Sequence, residues 1–183
     1  MKATDQRKPA QAVSSRRQDV LAAVEAFESR LTRFALRLTG DLDLARDAVQ
    51  HTFVQLCDEP PRSSPELAAW LFTVCRNKAL DHLRRGQRDE SLNGHAAGEL
   101  LASREPDPAE AAHQGDLHAW VREQTTRLPV PQREVLSLWS EGFSYREIAE
   151  ITQRTEGNIR VLVHRALTAL RTIAATHELS EKR

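Results

Sequence analysis

The sequence predicts an all-α protein with two small helical domains, an N-terminal helical bundle and a C-terminal helix-turn-helix unit, joined by a flexible linker. Apolar residues recur at steps of three or four along most of the chain, which is the spacing of one helix face. Only seven glycines and eight prolines occur in 183 residues, whereas a strand-rich fold needs turn residues roughly every 8 to 12 positions. Aromatic residues make up 5% of the chain, so the core must be mostly aliphatic.

The N-terminal half predicts a tail and two helices. Residues 1–18 are polar and basic without apolar periodicity, which is typical of a mobile tail. The first helix follows, and we expect it to end at Thr39-Gly40, because glycine is favoured just past a helix C-terminus. A second helix opens at Asp41 or Asp43, since acidic residues suit the positive end of the helix dipole. Glu59-Pro60-Pro61 ends that helix.

A third segment runs from Leu67 to Arg85 and changes character along its length, from apolar to strongly basic. With the preceding helices it defines an N-terminal domain at 19–88. Residues 89–106 form an acidic linker that repels phosphate.

A second domain is predicted at 107–175, followed by a tail at 176–183. Asp107-Pro108 combines an N-cap with proline at the first helical position and starts a helix that Pro129 ends. Another helix begins at Pro131 and ends near Glu141-Gly142.

Two further helices joined by a short turn form the predicted helix-turn-helix unit. Ser144 with Glu147 three residues later is a capping box for the first of them. After a turn at 152–154, Thr155 caps a long helix that we expect to run through Ile173.

The long helix has two different faces when it is projected at about 100° per residue. Its predicted core side consists of Ile159, Leu162, Val163, Ala166 and Leu170. Its opposite side is polar and basic, with four arginines against Glu156 between residues 154 and 171. This pattern is expected of a helix in the DNA major groove, although an antiparallel helix pair with a solvated arginine-rich face has the same pattern.

The basic end of the third segment has two interpretations. Aromatic residues such as Trp70 beside basic residues suit single-stranded nucleic acid, because rings stack on bases while cations follow the backbone. Alternatively, Trp70 and Leu71 belong to the core and the arginines are favoured by the negative end of the helix dipole.

Other chemical classes are disfavoured. Cys57 and Cys75 cannot build a disulfide framework, and no apolar run resembles a signal peptide or a membrane span, so we expect a cytoplasmic protein. The spacings of His51 from Cys57 and of Cys75 from His82 fit no zinc pattern. Since no phosphate-binding glycine loop or nucleophile motif occurs, we expect neither an enzyme nor a cofactor.

Several motifs together resemble the extracytoplasmic-function (ECF) sigma factors, a subfamily of the sigma-70 family of bacterial RNA polymerase. The segments 34–41, 47–53, 69–77 and 79–85 look like the family's second conserved region. The segments 128–136, 142–150, 156–160 and 164–166 look like its fourth region. The similarity covers roughly residues 20–88 and 107–172 in the right order, with an unmatched linker between them.

The resemblance implies a transcription initiation factor that binds core RNA polymerase and directs it to promoters, as an alternative, stress- or signal-responsive factor. It implies contacts with the β′ clamp and the β flap of polymerase, with promoter DNA and, as in many family members, with an anti-sigma factor. The residues implied for the β′ clamp are Asp47, Gln50 and Phe53. Those implied for binding and helping to melt the minus-ten element are Trp70, Arg76, Asn77, Lys78, Asp81, Arg84 and Arg85. Those implied for the minus-thirty-five element are Ser144, Arg146, Thr155, Glu156, Asn158, Arg160, Val161, His164 and Arg165.

The chain departs from the family pattern at three places. The family usually has an acidic residue where His51 stands, a leucine and glycine where Thr152 and Gln153 stand, and often a serine and arginine at 161–162. Fewer polar groups on the reading face predict weaker or shape-based upstream recognition.

Two alternatives to an initiation factor stay open on the sequence. One is a stand-alone helix-turn-helix regulator, which would not need the first 88 residues. The other is a sigma-like adaptor without initiation activity. The formal net charge of zero, with 26 basic and 26 acidic residues, further predicts that the free protein binds DNA poorly until polymerase spaces its two domains.

Overall fold

The computed structural model describes residues 8–58, 64–92, 120 and 123–181, and within these ranges it contains helices and no strand. The predicted all-α class is therefore confirmed. The helices are α1 (Lys8–Thr39), α2 (Leu42–Asp58), α3 (Ser64–Leu92), α4 (Val130–Ser140), α5 (Tyr145–Thr152) and α6 (Glu156–Glu181). A helical turn at 123–126 precedes α4.

The junction between α1 and α2 has the predicted chemistry. Gly40 follows α1 with a φ of 77°, the left-handed conformation that glycine adopts without steric cost. The Asp41 side chain caps α2, since its Oδ1 accepts hydrogen bonds from the backbone N–H groups of Asp43 (2.8 Å) and Leu44 (2.9 Å). Of the two predicted starting residues, Asp41 is thus the cap.

The predicted mobile tail at 1–18 is wrong for residues 8–18, because α1 begins at Lys8. Once a helix is nucleated, each added residue gains a hydrogen bond, and Pro9 is tolerated in the first turn. Arg16 also ties this extension to α2, donating from Nη2 to the backbone carbonyls of Cys57 (2.5 Å) and Asp58 (2.9 Å). Residues 1–7 lie outside the described residues.

Two other helices continue past their predicted ends. The third helix extends beyond Arg85 to Leu92, into the start of the predicted linker at 89–106, and α6 extends beyond Ile173 to Glu181, through most of the predicted tail. Residues 174–181 contain neither glycine nor proline, so no local signal stops α6. The rest of the predicted linker, and most of the helix predicted from Asp107, lie outside the described residues.

The C-terminal helices follow the predicted pattern. Gly142, with a φ of 94°, separates α4 from α5. Ser144 and Glu147 form the predicted capping box of α5. Gln153 ends α5 in the left-handed conformation with a φ of 57°, and the Thr155 hydroxyl accepts from the backbone N–H of Asn158 at the start of α6 (3.3 Å).

Most buried apolar residues of the two halves form one continuous core, and a smaller cluster in the C-terminal half consists of Leu128, Leu136 and Ala166. We call α1–α3 the N-terminal lobe and residues 123–181 the C-terminal lobe. The Phe72 ring of α3 lies 5.3 Å from Phe34 of α1 and 4.8 Å from Phe143 of the C-terminal lobe, between ring centroids. Phe34 and Phe72 are fully buried, and the same cluster includes Ile148 and Ile159. The lobes therefore pack on each other.

Candidate nucleic-acid interface

A basic groove runs along the second half of α3 and meets α2. We call it the α3 groove, and its lining residues are His51, Arg76, Asn77, Lys78, Leu80, Asp81, Arg84 and Arg85. Six of the seven residues predicted for the minus-ten element thus lie in one groove. The seventh, Trp70, is half-buried and packs against the core.

The cations of the α3 groove differ in how free they are. Arg85 is paired with Asp81 on the next turn of α3 (2.9 Å), and the Arg76 guanidinium is hydrogen-bonded to Glu134 of α4. Arg84 is exposed and makes no ion pair with any described residue. Of the three groove arginines, Arg84 is therefore the cation most available to an incoming phosphate.

Asp47 of α2, predicted to contact polymerase, is bound to two basic residues of α3. Its Oδ2 lies 3.1 Å from Nζ of Lys78 and 2.8 Å from Nε2 of His82. The hydrogen bond with Lys78 is the main reason that the pKa of the Asp47 carboxyl is below its usual value, and His82 adds to the effect. The predicted polymerase surface and the α3 groove thus share a charge cluster.

The other two residues predicted to bind polymerase lie on the same helix as Asp47. Gln50 is exposed one turn further along α2, whereas Phe53 is half-buried and packs against the core. Sequence reasoning did not find the link from Asp47 to α3, because no local pattern reveals a contact between side chains 31 and 35 residues apart.

A second groove lies between α5 and the start of α6, and we call it the helix-turn-helix groove. It is lined by Arg146, Ala149, Glu150, Gln153, Arg154, Thr155, Glu156 and Asn158. Four of these residues, Arg146, Thr155, Glu156 and Asn158, were predicted for the upstream element. Gln153 and Arg154 also line this groove, although neither was predicted to contact DNA. The sequence marked Gln153 only as a departure from the family pattern and Arg154 only as one of four arginines.

The outer face of α6 is exposed as its periodicity predicts. Val161 is 48% exposed, and His164 and Arg165 are exposed beside it. On the opposite face Ile159, Val163 and Ala166 are buried. The helix thus presents its polar face to solvent.

Two neighbouring side chains contact Arg160 on this outer face. Its Nη2 lies 2.9 Å from Oε1 of Glu156, and its guanidinium carbon lies 5.2 Å from the ring centroid of Tyr145. On α5, Arg146 forms a comparable exposed pair with Glu150 (3.3 Å). Since exposed pairs of this kind are worth only about 0.3–0.5 kcal/mol, phosphate oxygens can replace the carboxylates.

The capping box fixes the start of α5. The Ser144 hydroxyl and backbone N–H both donate to Oε2 of Glu147 (2.6 and 2.8 Å), and the hydroxyl accepts from the Glu147 backbone N–H (3.3 Å). The hydrogen bonds from Ser144 lower the pKa of the Glu147 carboxyl. Ser144, predicted to contact DNA, therefore has a structural role in setting the helix.

No three histidine, cysteine or acidic side chains come together as a metal site among the described residues. In the same ranges, no helix is long and apolar enough to cross a membrane.

Two family models match the chain. Sigma-70 region 2 matches residues 23–89, and Sigma-70 region 4 matches residues 118–170. The two matches together cover more than half of the chain. The first contains the whole of the α3 groove, and the second contains the helix-turn-helix groove.

Curated relatives resemble the chain over most of their length. The ECF RNA polymerase sigma factor EcfG of Rhodopseudomonas palustris is 34% identical over 160 residues, which is 85% of this chain and 83% of the relative. The corresponding factor SigM of Bacillus subtilis is 27% identical, over 81% of this chain and 91% of the relative.

Two solved structures have a similar fold. The sigma factor RpoE of Bartonella quintana, in complex with the anti-sigma factor NepR, matches with a TM-score of 0.64 and 27% identity, over 87% of this chain and 96% of that one. CnrH in complex with the cytosolic domain of CnrY matches with a TM-score of 0.62 and 22% identity, over 91% of this chain and 94% of that one.

Proposed function

Because the chain belongs to the ECF sigma factors of the sigma-70 family, we propose that it binds core RNA polymerase, directs it to specific promoters and helps to melt the minus-ten region. It is an alternative sigma factor, and we propose that a stress or another signal controls it. The observation that carries the detailed assignment is the grouping of the predicted minus-ten residues in the α3 groove.

The α3 groove suits an opened DNA strand. Its cations Lys78, Arg84 and Arg85 lie along one helix, with Arg84 and Arg85 about two turns beyond Lys78, which provides positive charge along a backbone path. The amide of Asn77 and the carboxylate of Asp81 add groups that distinguish base edges. Because Trp70 is half-buried and packs against the core, we assign it a supporting role in the α3 groove rather than a stacking role.

The helix-turn-helix unit suits the duplex of the minus-thirty-five element. The first turns of α6 carry Asn158 and Arg160 on an exposed face, where side chains reach base edges in a major groove. Arg146 of α5 and Arg165 further along α6 are both exposed, and we propose that they contact phosphates on either side. Val161 offers an apolar contact to a thymine methyl group.

The partners follow from the same assignment. We propose that α2, through Asp47, Gln50 and Phe53, binds the β′ clamp and that the C-terminal lobe binds the β flap. An anti-sigma factor is a further partner, in line with the complex of the similar sigma factor RpoE with the anti-sigma factor NepR. We place the protein in the cytoplasm, where polymerase is, and assign it no catalytic role of its own.

Transcription with purified core polymerase tests this function. Genomic DNA fragments from the source organism serve as template, and the transcripts are sequenced at their 5′ ends. We expect defined start sites that depend on the chain. Absence of promoter-dependent transcripts despite intact binding to core polymerase would identify a sigma-like adaptor, and tight specific binding to duplex DNA without polymerase would identify a stand-alone regulator.

The matched variants are Arg84→Gln, in the α3 groove, and Arg17→Gln, an exposed arginine of α1 outside both grooves. We expect the first to lower the yield from duplex templates more than from templates with a pre-opened minus-ten region. The second should leave both yields unchanged.

A further inference from the structure

Two buried acidic side chains on the C-terminal lobe face the N-terminal lobe. Glu134 lies in α4, and Glu141 is the residue just after the end of that helix. The two glutamates are seven residues apart, which is about two helical turns, so they lie on the same side. Their side chains are only 1% and 3% exposed. Carboxylates so deeply buried are rare unless they are paired.

Glu141 meets three arginines of α1. Its carboxylate lies 3.4 Å from Nε of Arg30, 3.4 Å from Nη2 of Arg33 and 3.2 Å from Nη1 of Arg37. Arg30 also donates to the Glu141 backbone carbonyl (2.8 Å), and Arg37 donates to the hydroxyl of Ser140 (2.6 Å). These arginines thus neutralise both the side chain and the negative end of the α4 dipole.

Glu134 meets two arginines that belong to the two candidate DNA surfaces. One of its carboxylate oxygens accepts from Nε of Arg76 in the α3 groove, and the other lies 2.9 Å from Nη1 of Arg154 in the helix-turn-helix groove. The contact with Arg154 lacks the geometry of a hydrogen bond and is a charge contact only. One carboxylate therefore contacts a cation of each candidate DNA surface.

Aromatic contacts join the two acidic sites. Phe143 of the C-terminal lobe packs edge-on against Phe72, and the Arg30 guanidinium lies 5.5 Å from the centroid of the Phe72 ring. The contact between the lobes thus combines aromatic packing with two ion-pair clusters.

We propose that the arginines of α1, together with Arg76, form a docking surface for the 134–143 segment of the same chain, and that this docking keeps the free factor in a closed, self-inhibited form. In that form Glu134 competes with DNA phosphate for Arg76 and Arg154. The docking itself stands on these contacts alone, and its effect on DNA binding rests on the proposed function.

Such a contact is suited to opening. Buried ion pairs recover little more than the free energy spent on removing both charges from water, so they define a geometry without holding it irreversibly. The arginines of α1 remain partly exposed, with side-chain exposures of 35%, 53% and 32%, so salt or an anionic partner can reach them. Polymerase and promoter DNA would select the open form.

The distance between the lobes tests the docking without polymerase or DNA. Spin labels are attached at the exposed Cys57 and at an exposed α6 position through Thr168→Cys, in the full chain. We expect one narrow distance distribution, which Glu134→Gln combined with Glu141→Gln shifts to longer and broader values. Glu150→Gln, which removes an exposed acid paired within α5, is the matched control and should change nothing.

A second variant acts from the other lobe, where the risk of misfolding is lower. Arg33→Gln combined with Arg37→Gln removes partly exposed charges of α1, and circular dichroism checks that the helices remain. We expect the same broadening. A broad distribution in the unaltered chain, or a narrow one in a folded Arg33/Arg37 variant, would overturn the docking.

Binding to a promoter duplex without polymerase tests the inhibition. Coupling between sites typically changes affinity by about 5- to 150-fold, and we expect at least a fivefold gain for the Glu134/Glu141 variant. If the lobes separate and DNA affinity does not rise, the inhibition is wrong. If transcripts are missing while the distance still shifts, the initiation function fails and the docking stands.

Discussion

Replacing Arg84 by glutamine tests whether the α3 groove holds an opened DNA strand. Arg84 is exposed and free of described ion pairs, so its full charge is available to phosphate. Each neutralised phosphate contributes about 0.7 to the slope of log affinity against log salt for single strands and about 0.9 for B-form duplex. The variant should therefore lose about 0.7 of slope on a pre-opened template.

The size of the effect is measurable. Over a fourfold rise in salt, a slope difference of about 0.7 reduces the affinity ratio of unaltered protein to variant by about 2.6-fold. The assay is a salt titration of holoenzyme on promoter DNA with an opened minus-ten region, beside the same DNA as full duplex. An unchanged slope on the opened template would refute the placement of Arg84 on the strand.

Arg85 and Arg17 provide the internal comparisons. Arg85 is already paired with Asp81 at 2.9 Å, so Arg85→Gln also frees a carboxylate, and binding by the unaltered chain must first break that pair. We expect its slope change to be smaller than that of Arg84→Gln. Arg17→Gln changes the same charge outside the groove and should leave the slope unaltered.

Three further outcomes are expected. Arg160→Ala should weaken holoenzyme binding to upstream promoter DNA by about 1–3 kcal/mol and relax the base preference at one position. Unchanged affinity and base preference would refute the proposal that α6 binds in the major groove. Ser144→Ala should lower the free energy of unfolding by about 1 kcal/mol in chemical denaturation at neutral pH. Ser144 lowers the pKa of Glu147 below its ordinary value of 4.5, so the ionised carboxyl stabilises the fold above pH 4.5 and loses this effect as the pH falls through the lowered pKa. The loss of unfolding free energy caused by Ser144→Ala should therefore become smaller at that low pH. A loss that is independent of pH would argue against the ionised capping box. Burial raises the pKa of the Cys75 thiol to about 12, while Cys57 is exposed. An alkylating reagent near pH 8 should therefore modify one thiol in the native protein and two in denaturant. Modification of both thiols in the native protein would contradict the burial of Cys75.

Local signals in the sequence were sufficient where the structure depends on neighbouring residues. Gly40 and Asp41 mark a helix junction, and Ser144 with Glu147 marks a helix start, because capping needs only residues within one turn. The six predicted minus-ten residues in the α3 groove were found through family motifs, and their spacing on one helix brings them together.

The contacts between lobes could not be predicted from the sequence. Glu134 meets Arg76, 58 residues away, and Glu141 meets α1 more than 100 residues away. A glutamate in a helix is usually solvated, so neither residue gave any sign of burial. The helical extension at 8–18 was missed for the same reason, since its contact through Arg16 is with the distant end of α2.

The shared aromatic cluster also affects how the chain folds during synthesis. Phe72 is covered on one side by Phe34, made before it, and on the other by Phe143, made about seventy residues later. At about 5–20 residues per second, the ribosome needs roughly 4–14 s to produce that interval. During this time the nascent N-terminal lobe exposes an apolar face at Phe72, which is covered once α4 and the turn with Phe143 have been made.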